Sequence, residues 1–371
     1  MQITAQFKLV LTREQVCLID TISKNYIAAV NATVSTLLAA KIPLRFSSKD
    51  IVADLPSAVK NQVIRDAHSV CNRYRKAVKD NARKPTDTQK EIKTPILKKP
   101  VCIWNNQNYT LNDGVVSFPV MINGASRRIQ VSAVVTEYQK EQLKGKQGTL
   151  RITKKNNKYI AQISVESPAV VLESKRNERE RIIMGVDLGL KVPAVAVTQT
   201  GKTRFFGNGR LNKYVKRNYR SRRKKLGKAK KLKAIKKLNN KEQRWMKDQD
   251  HKISKAIIDF ARENNVSVIR MERLSGIRST ARTSRKNEKN LHTWSFYRVA
   301  FYIEYKAALY GILVEYVDPR YTSQTCPMCG TRNKAKDRSY ACSCGYHTHR
   351  DRVGAMNSID APVIDGHSLS A

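Results

Sequence analysis

A carboxylate set into an apolar run constrains this chain more than any other feature. Residues 181–189, RIIMGVDLG, put Asp187 among Ile182, Ile183, Met184, Val186 and Leu188. A run this apolar reads as a strand covered on both faces. An acid there is costly unless it is paired, hydrogen-bonded or bound to metal. Gly185 and Gly189 flank it and let a neighbouring backbone or a ligand come close. For an isolated GVDLG, a strand-end aspartate capping a turn explains the pattern equally well.

Two more acids repeat it. VSVIRME is an apolar strand ending on Glu272, and Asp351 opens a helix, DRVGAMNSI, where an N-cap carboxylate is the plain alternative. Around them, PAVAVT and TRFFGN read as strands following the first by tight turns. A basic helical stretch covers about 210 to 264, a helix 292 to 310, and ILVEYV a further strand. Three antiparallel strands followed by alternating helix and strand give a mixed sheet with helices on its faces. Three acids brought together would repel one another, and one or two Mg²⁺ ions would offset that charge. Metals held in this way activate water for phosphodiester hydrolysis.

Charge supplies the substrate class. Lys and Arg number 71 against 30 Asp and Glu, a net charge of +41. That excess calls for a polyanion, and the basic stretches lack the Trp/Phe/Leu face that would lie in a bilayer. The cations concentrate between Lys213 and Lys247, on every helical face and with few acids to pair them, so phosphate contact is the better reading than a solvated face. Arg217, Arg220, Arg222, Arg223, Lys224, Lys225, Lys231 and Lys236 are the candidate contacts. The polar, basic stretch 278–290 follows Glu272 and is expected to be a mobile loop over the site. Trp294, Phe296 and Tyr297 read as helix core rather than base-stacking residues.

Seven cysteines divide into two kinds. Cys326-Pro-Met-Cys329 and Cys342-Ser-Cys344, each pair beside a glycine, match the knuckles of a zinc ribbon, whose four thiolates close a structural site for one Zn²⁺. With the shell filled, His347 and His349 are not needed. Cys17, Cys71 and Cys102 read as small apolar fillers. The N-terminus has no apolar signal core and no stretch is long enough to span a bilayer, so a reducing cytoplasm is expected.

The first half reads differently. Residues 2–10 alternate as a strand, with Ile3, Ala5, Phe7 and Leu9 on one side. Residues 12–81 turn helical around a loop where Ser47, Ser48 and Asp50 are cap candidates. After a proline-bearing connector, short alternating segments from 100 to 170 are separated by turns at Asn112-Asp113-Gly114 and Lys155-Asn156-Asn157. This fits a small antiparallel barrel into which the helices are inserted.

GVDLG, MERL at 271–274, CPMC…CSCG at 326–345 and HRDRVGAMNSI at 349–359, in that order, resemble the TnpB family of transposon-encoded, RNA-guided nucleases, relatives of compact type V CRISPR effectors often labelled transposases. The resemblance implies a multidomain α+β protein. An N-terminal antiparallel β-barrel (wedge), residues 1–11 and 96–178, would carry a helical recognition insertion at 12–95. A C-terminal ribonuclease H-like (RuvC) mixed α/β domain, 179–371, would carry a zinc ribbon at about 321–347. It implies Asp187, Glu272 and Asp351 as catalytic ligands of two Mg²⁺, with Asp187 bridging them. The implied partners are a guide RNA from the protein's own element and target double-stranded DNA, with no membrane and a monomer favoured. Base pairing would read sequence, and Asn61, Gln62 and Arg65 would read a short motif beside the target. A nuclease-inactive regulator and a CRISPR-linked effector are the competing readings. No tyrosine or serine motif suggests a strand-joining transposase.

Overall fold

The computed structural model describes residues 2–40, 42, 44–166, 181–238, 240–274, 295–335 and 337–365. The stretch 278–290, Trp294 and the charged link before residue 181 lie outside them. The chain divides into two compact units, 1–167 and 168–371. Among the described residues no helix is long and apolar enough to cross a membrane.

The first unit is built around β1 (Gln2–Val10), whose Ala5, Phe7 and Leu9 are buried while alternate residues face out. β1 is the middle strand of a seven-stranded sheet with β2 (Val101–Trp104), β3 (Thr110–Asn112), β4 (Val115–Ile122), β5 (Ala125–Val134), β6 (Lys146–Lys155) and β7 (Lys158–Glu166). The order is β2-β6-β7-β1-β5-β4-β3, antiparallel throughout. The sheet curls on itself: Trp104 of edge strand β2 meets Phe118 of β4 with ring centroids 4.6 Å apart, and its Nε1 donates to Pro119 O at 3.0 Å. The edge strands β2 and β3 are not paired with each other, so the expected barrel is a curled sheet whose seam is bridged by side chains, among them Tyr109, whose hydroxyl donates to Gly148 O of β6.

Both expected turns close two-residue hairpin loops. Asp113 and Gly114, and Asn156 and Asn157, have positive φ, which matches the turn twist to that of the strands. Asn123-Gly124 makes a third of the same kind between β4 and β5. Between β1 and β2 the chain forms α1 (Arg13–Ala39) and α2 (Ser57–Ala82). Ile19, Ile22, Tyr26, Val30 and Val34 of α1, which recur at threes and fours, bury one apolar stripe against Val59, Val63 and Ala67 of α2. Thr12 and Gln15 form a capping box at the start of α1. Ser47, Ser48 and Asp50 cap no helix: the N-cap of α2 is Pro56, six residues beyond Asp50, and Asp50 instead accepts from the amide and hydroxyl of Ser47. A connector in this unit is pinned by Asn31, which exchanges two 2.9 Å hydrogen bonds with the backbone of Leu97. Cys71 and Cys102 are buried as expected; Cys17 is exposed, because it falls off the apolar stripe of α1.

The second unit holds a six-stranded sheet of order β10-β9-β8-β11-β12-β15. β8 (Ile183–Asp187), β9 (Ala194–Thr198) and β10 (Thr203–Phe206) are antiparallel neighbours; β11 (Val268–Glu272) and β12 (Leu313–Val317) run parallel to β8. β15 (Val363–Asp365), not anticipated, pairs antiparallel with β12. The basic stretch forms α4 (Gly209–Lys228), α5 (Leu232–Leu238) and α6 (Lys241–Glu263), after the short α3 (Glu137–Leu143) of the first unit. α7 (Phe296–Leu309) and α8 (Arg350–Asp360) follow β11 and the hairpin β13 (Ser339–Ala341) and β14 (His347–His349).

The sheet is covered on both faces, as the apolar run required. Met184, Val186, Ala194, Ala196, Ile269 and Met271 pack with Ile257, Ile258 and Ile303 of α6 and α7. On the other face Val195 and Val197 pack with Ala355 of α8. Strand alternation therefore points Gly185, Asp187, Arg270 and Glu272 toward α8. On α7, Phe296 packs against the core, but Tyr297 is 54% exposed, off the face carrying Val299, Ala300 and Ile303.

Candidate active site

Register brings the first two acids together. Met271 of β11 pairs with Val186 of parallel β8, so Glu272 and Asp187 stand at the same level, at the same strand ends, on the same face. The third comes from α8, which lies close because the facing residues are small. A Cβ on Gly185 would meet Ala355 O at 1.9 Å, and one on Gly354 would lie 3.3 Å from Asp187 Cγ. α8 therefore rests directly on the Asp187 carboxylate, with Asp351 in its first turn.

Asp351 does not cap that helix. His349 does, its Nδ1 accepting from the Asp351 amide at 3.2 Å. This leaves the carboxylate free for other work: Oδ1 accepts from Arg338, while the buried Oδ2 has no hydrogen-bond partner among the described residues. Glu272 accepts from the hydroxyl of Thr322, a loop that Asn357 of α8 holds through the carbonyls of Thr322 and Thr325 at 2.6 and 2.7 Å. Burial, then repulsion from Glu272 and Asp351, pushes the Asp187 carboxyl well above the ordinary carboxylate range, against the pull of Arg338 and Arg350. Burial also raises Glu272, opposed by Thr322 and Arg350. An orphaned buried oxygen beside two acids of raised pKa is a donor set that a hard divalent cation satisfies, so these residues fit a divalent metal ion.

The four cysteines lie closer together. Among the described residues theirs is the only group of three or more candidate ligands whose atoms all fall within 4.8 Å. Cys326 Sγ is 3.7 Å from Cys344 Sγ, and Cys329 Sγ is 3.5 Å from Cys342 Sγ. A tetrahedral shell with metal–sulfur bonds of about 2.3 Å sets its sulfurs about 3.8 Å apart. Each pair sits in a knuckle: the Gly330 amide donates to Cys326 O and the Gly345 amide to Cys342 O, with both glycines at positive φ. Thr331, through side chain and backbone, brings Cys329 down to about 6, and Asn333 Nδ2 donates to Cys342 Sγ at 3.0 Å. His347 and His349 are not part of this group of four cysteines.

The basic candidates are spread along the surface. Arg217, Arg220, Arg222, Lys224, Lys225, Lys231 and Lys236 are exposed, while Arg223 is tied to Glu242 of α6 at 2.6 Å. In the first unit Asn61 and Arg65 are exposed on α2, and Gln62 is turned to Asp66 at 3.1 Å. Three residues with evident roles escaped the sequence reading: Arg338, Thr322 and His349 as a cap. Only His349, two residues before Asp351, carried a local signal.

Two family models match the chain: residues 161–278 fit one described as a probable transposase, and residues 296–358 a Cas12f1-like TNB domain. A TnpB-like protein of Methanocaldococcus jannaschii is 29% identical over 253 residues, 64% of this chain and 88% of that protein. The CRISPR-associated endodeoxyribonuclease Cas12f1 of Sulfoacidibacillus thermotolerans is 28% identical over 270 residues, 67% of this chain but 60% of the relative. In fold, the chain resembles a Cas12f1 solved with sgRNA and target DNA, at a TM-score of 0.66 and 16% identity, covering 94% of this chain and 83% of that one.

Proposed function

Because this chain belongs to the TnpB family, we propose that it is an RNA-guided DNA endonuclease whose catalytic acids are Asp187, Glu272 and Asp351. The observation that carries this is the convergence of three acids from two parallel strands and a helix, one of them with an unpartnered buried oxygen. The second unit is read as a RuvC-like nuclease domain and the cysteine cluster as its zinc ribbon. Asp187, Glu272 and Asp351 would together hold the two Mg²⁺ ions. Bound there, the two ions supply Lewis acidity and an activated water for phosphodiester hydrolysis. Of the protein's own groups, Thr322 orients Glu272, His349 and α8 orient Asp351, and Gly354 leaves room for Asp187. Arg338 donates to Asp351 Oδ1 and helps to set the orientation of that carboxylate.

The nucleic-acid partners follow from charge and kinship. With a net charge of +41 the chain suits a large polyanion. Its Cas12f relatives are named as endodeoxyribonucleases. An RNA from the protein's own element would pair with one target strand, and exposed Asn61 and Arg65 of α2 would read the adjoining motif.

The test is to sequence the RNA that co-purifies with the full-length protein and offer a DNA matching its 3′ segment. Cleavage is expected in Mg²⁺, and Asp187→Ala should reduce it to background while RNA retention stays unchanged. Cleavage surviving in Asp187→Ala would overturn the catalytic assignment. Binding with no cleavage by the unaltered protein would favour a regulator.

A further inference from the structure

Next to the acids lies a cavity of about 60 Å³ between the loop 188–190, the first turns of α4, and residues of α6 and α7. That is several times the roughly 10–15 Å³ needed for one water. Lys213, Lys216, Arg217 and Arg220 line it, spaced i, i+3, i+4 and i+7 so that one face of α4 presents all four. The acid facing them, Asp250 of α6, is 2% exposed and already held by Arg298 at 2.5 Å and Ser295 at 3.1 Å. Lys216 is drawn to Asp250 and Glu242, but Glu242 is occupied by Arg223.

Among the described residues, Lys213, Arg217 and Arg220 thus crowd a cavity whose facing acid, Asp250, is already engaged by Arg298 and Ser295. Burial, then the nearby Lys191, Arg217 and Arg338, pushes the Lys213 ammonium below the ordinary lysine range. Burial does the same to Lys216, with Arg298 and Arg220 adding to it against Asp250 and Glu242. An anion in the cavity relieves this crowding. The cavity also shares a wall with the acids: Leu188 and Gly189 follow Asp187 directly, and a Cβ on Gly189 would lie 3.9 Å from Asp351 Oδ2.

From this placement we infer that the α4 cavity is a phosphate subsite, holding a phosphodiester of the cut DNA strand that neighbours the one presented to the acids. The identity of the strand rests on the nuclease reading above; the affinity for phosphate does not. Lys213 and Lys216 act here as positioning residues: they fix where the strand lies relative to Asp187 and leave the bond-breaking to the acids.

The first measurement uses the full-length protein with its co-purified RNA, carrying Asp187→Ala so that DNA stays intact. Adding Lys213→Ala is expected to weaken binding of a labelled single-stranded DNA matching the guide about tenfold, and Lys213→Arg to restore it. The second uses the active protein under single-turnover conditions. One methylphosphonate beside the cut linkage should slow cleavage about tenfold, yet change nothing further in Lys213→Ala. Unchanged DNA binding in Lys213→Ala would overturn the inference. So would loss of the co-purified RNA, which would make the cavity a guide-RNA site. If the unaltered protein cuts no DNA while Lys213→Ala still weakens binding, the nuclease reading fails and the subsite stands.

Discussion

His251 stacks on Tyr302 with ring centroids 3.9 Å apart, and its carbonyl accepts from Lys306 at 2.7 Å. Burial, then Lys306, Lys247 and Arg298, lower its pKa to about 4, with Asp248 opposing. The native state therefore holds this imidazole neutral where the unfolded chain would bind a proton. Its contribution to stability is complete above about pH 6.5 and is lost as pH falls toward 4. His251→Phe, which keeps the stacking, should flatten that part of the melting-temperature profile; an unchanged slope would mean that other groups set it. Asp351 teaches a related lesson. Its place at the head of a helix suggested a cap, but the cap is His349, and freeing the carboxylate from that duty makes it available as a ligand.

At the scale of elements, local pattern served well wherever one face decides. The alternation in β1, the stripe on α1 and the paired turn residues of the curled sheet were legible, because burial and positive φ select particular residue types. The two cysteine knuckles were legible for the same reason. As a zinc site they should hold about one Zn²⁺ per chain. Metal analysis of Cys326→Ser should show that ion lost and the protein melting at a lower temperature; full zinc occupancy in the variant would overturn the assignment. Tyr297 and Cys17 were misread because a short apolar cluster does not say which side of a helix it occupies. The cap read at Ser47, Ser48 and Asp50 failed because Ser47 and Asp50 bond to each other and close a local turn instead.

For the whole molecule, charge makes a quantitative statement. If α4 and the residues after it lie along phosphates, each exposed cation adds a released counterion to binding. Changing Arg222, Lys224, Lys225 and Lys231 together to Gln should reduce the slope of log affinity against log salt for duplex DNA by about 3.6. An unchanged slope would place these cations in solvent. What the sequence determined alone was the chemistry available: an acid in a strand too apolar to leave it unpaired, four thiols at knuckle spacing, and an excess of positive charge. Such features are local or additive, so they survive without knowledge of the fold. Tertiary structure decided which groups meet. Parallel register sets Glu272 beside Asp187, and the small residues Gly185 and Gly354 let α8 bring Asp351 to them. Arg338 reaches Asp351, and the cationic face of α4 meets residues of α6 and α7 around a cavity, through contacts that no spacing along the chain encodes.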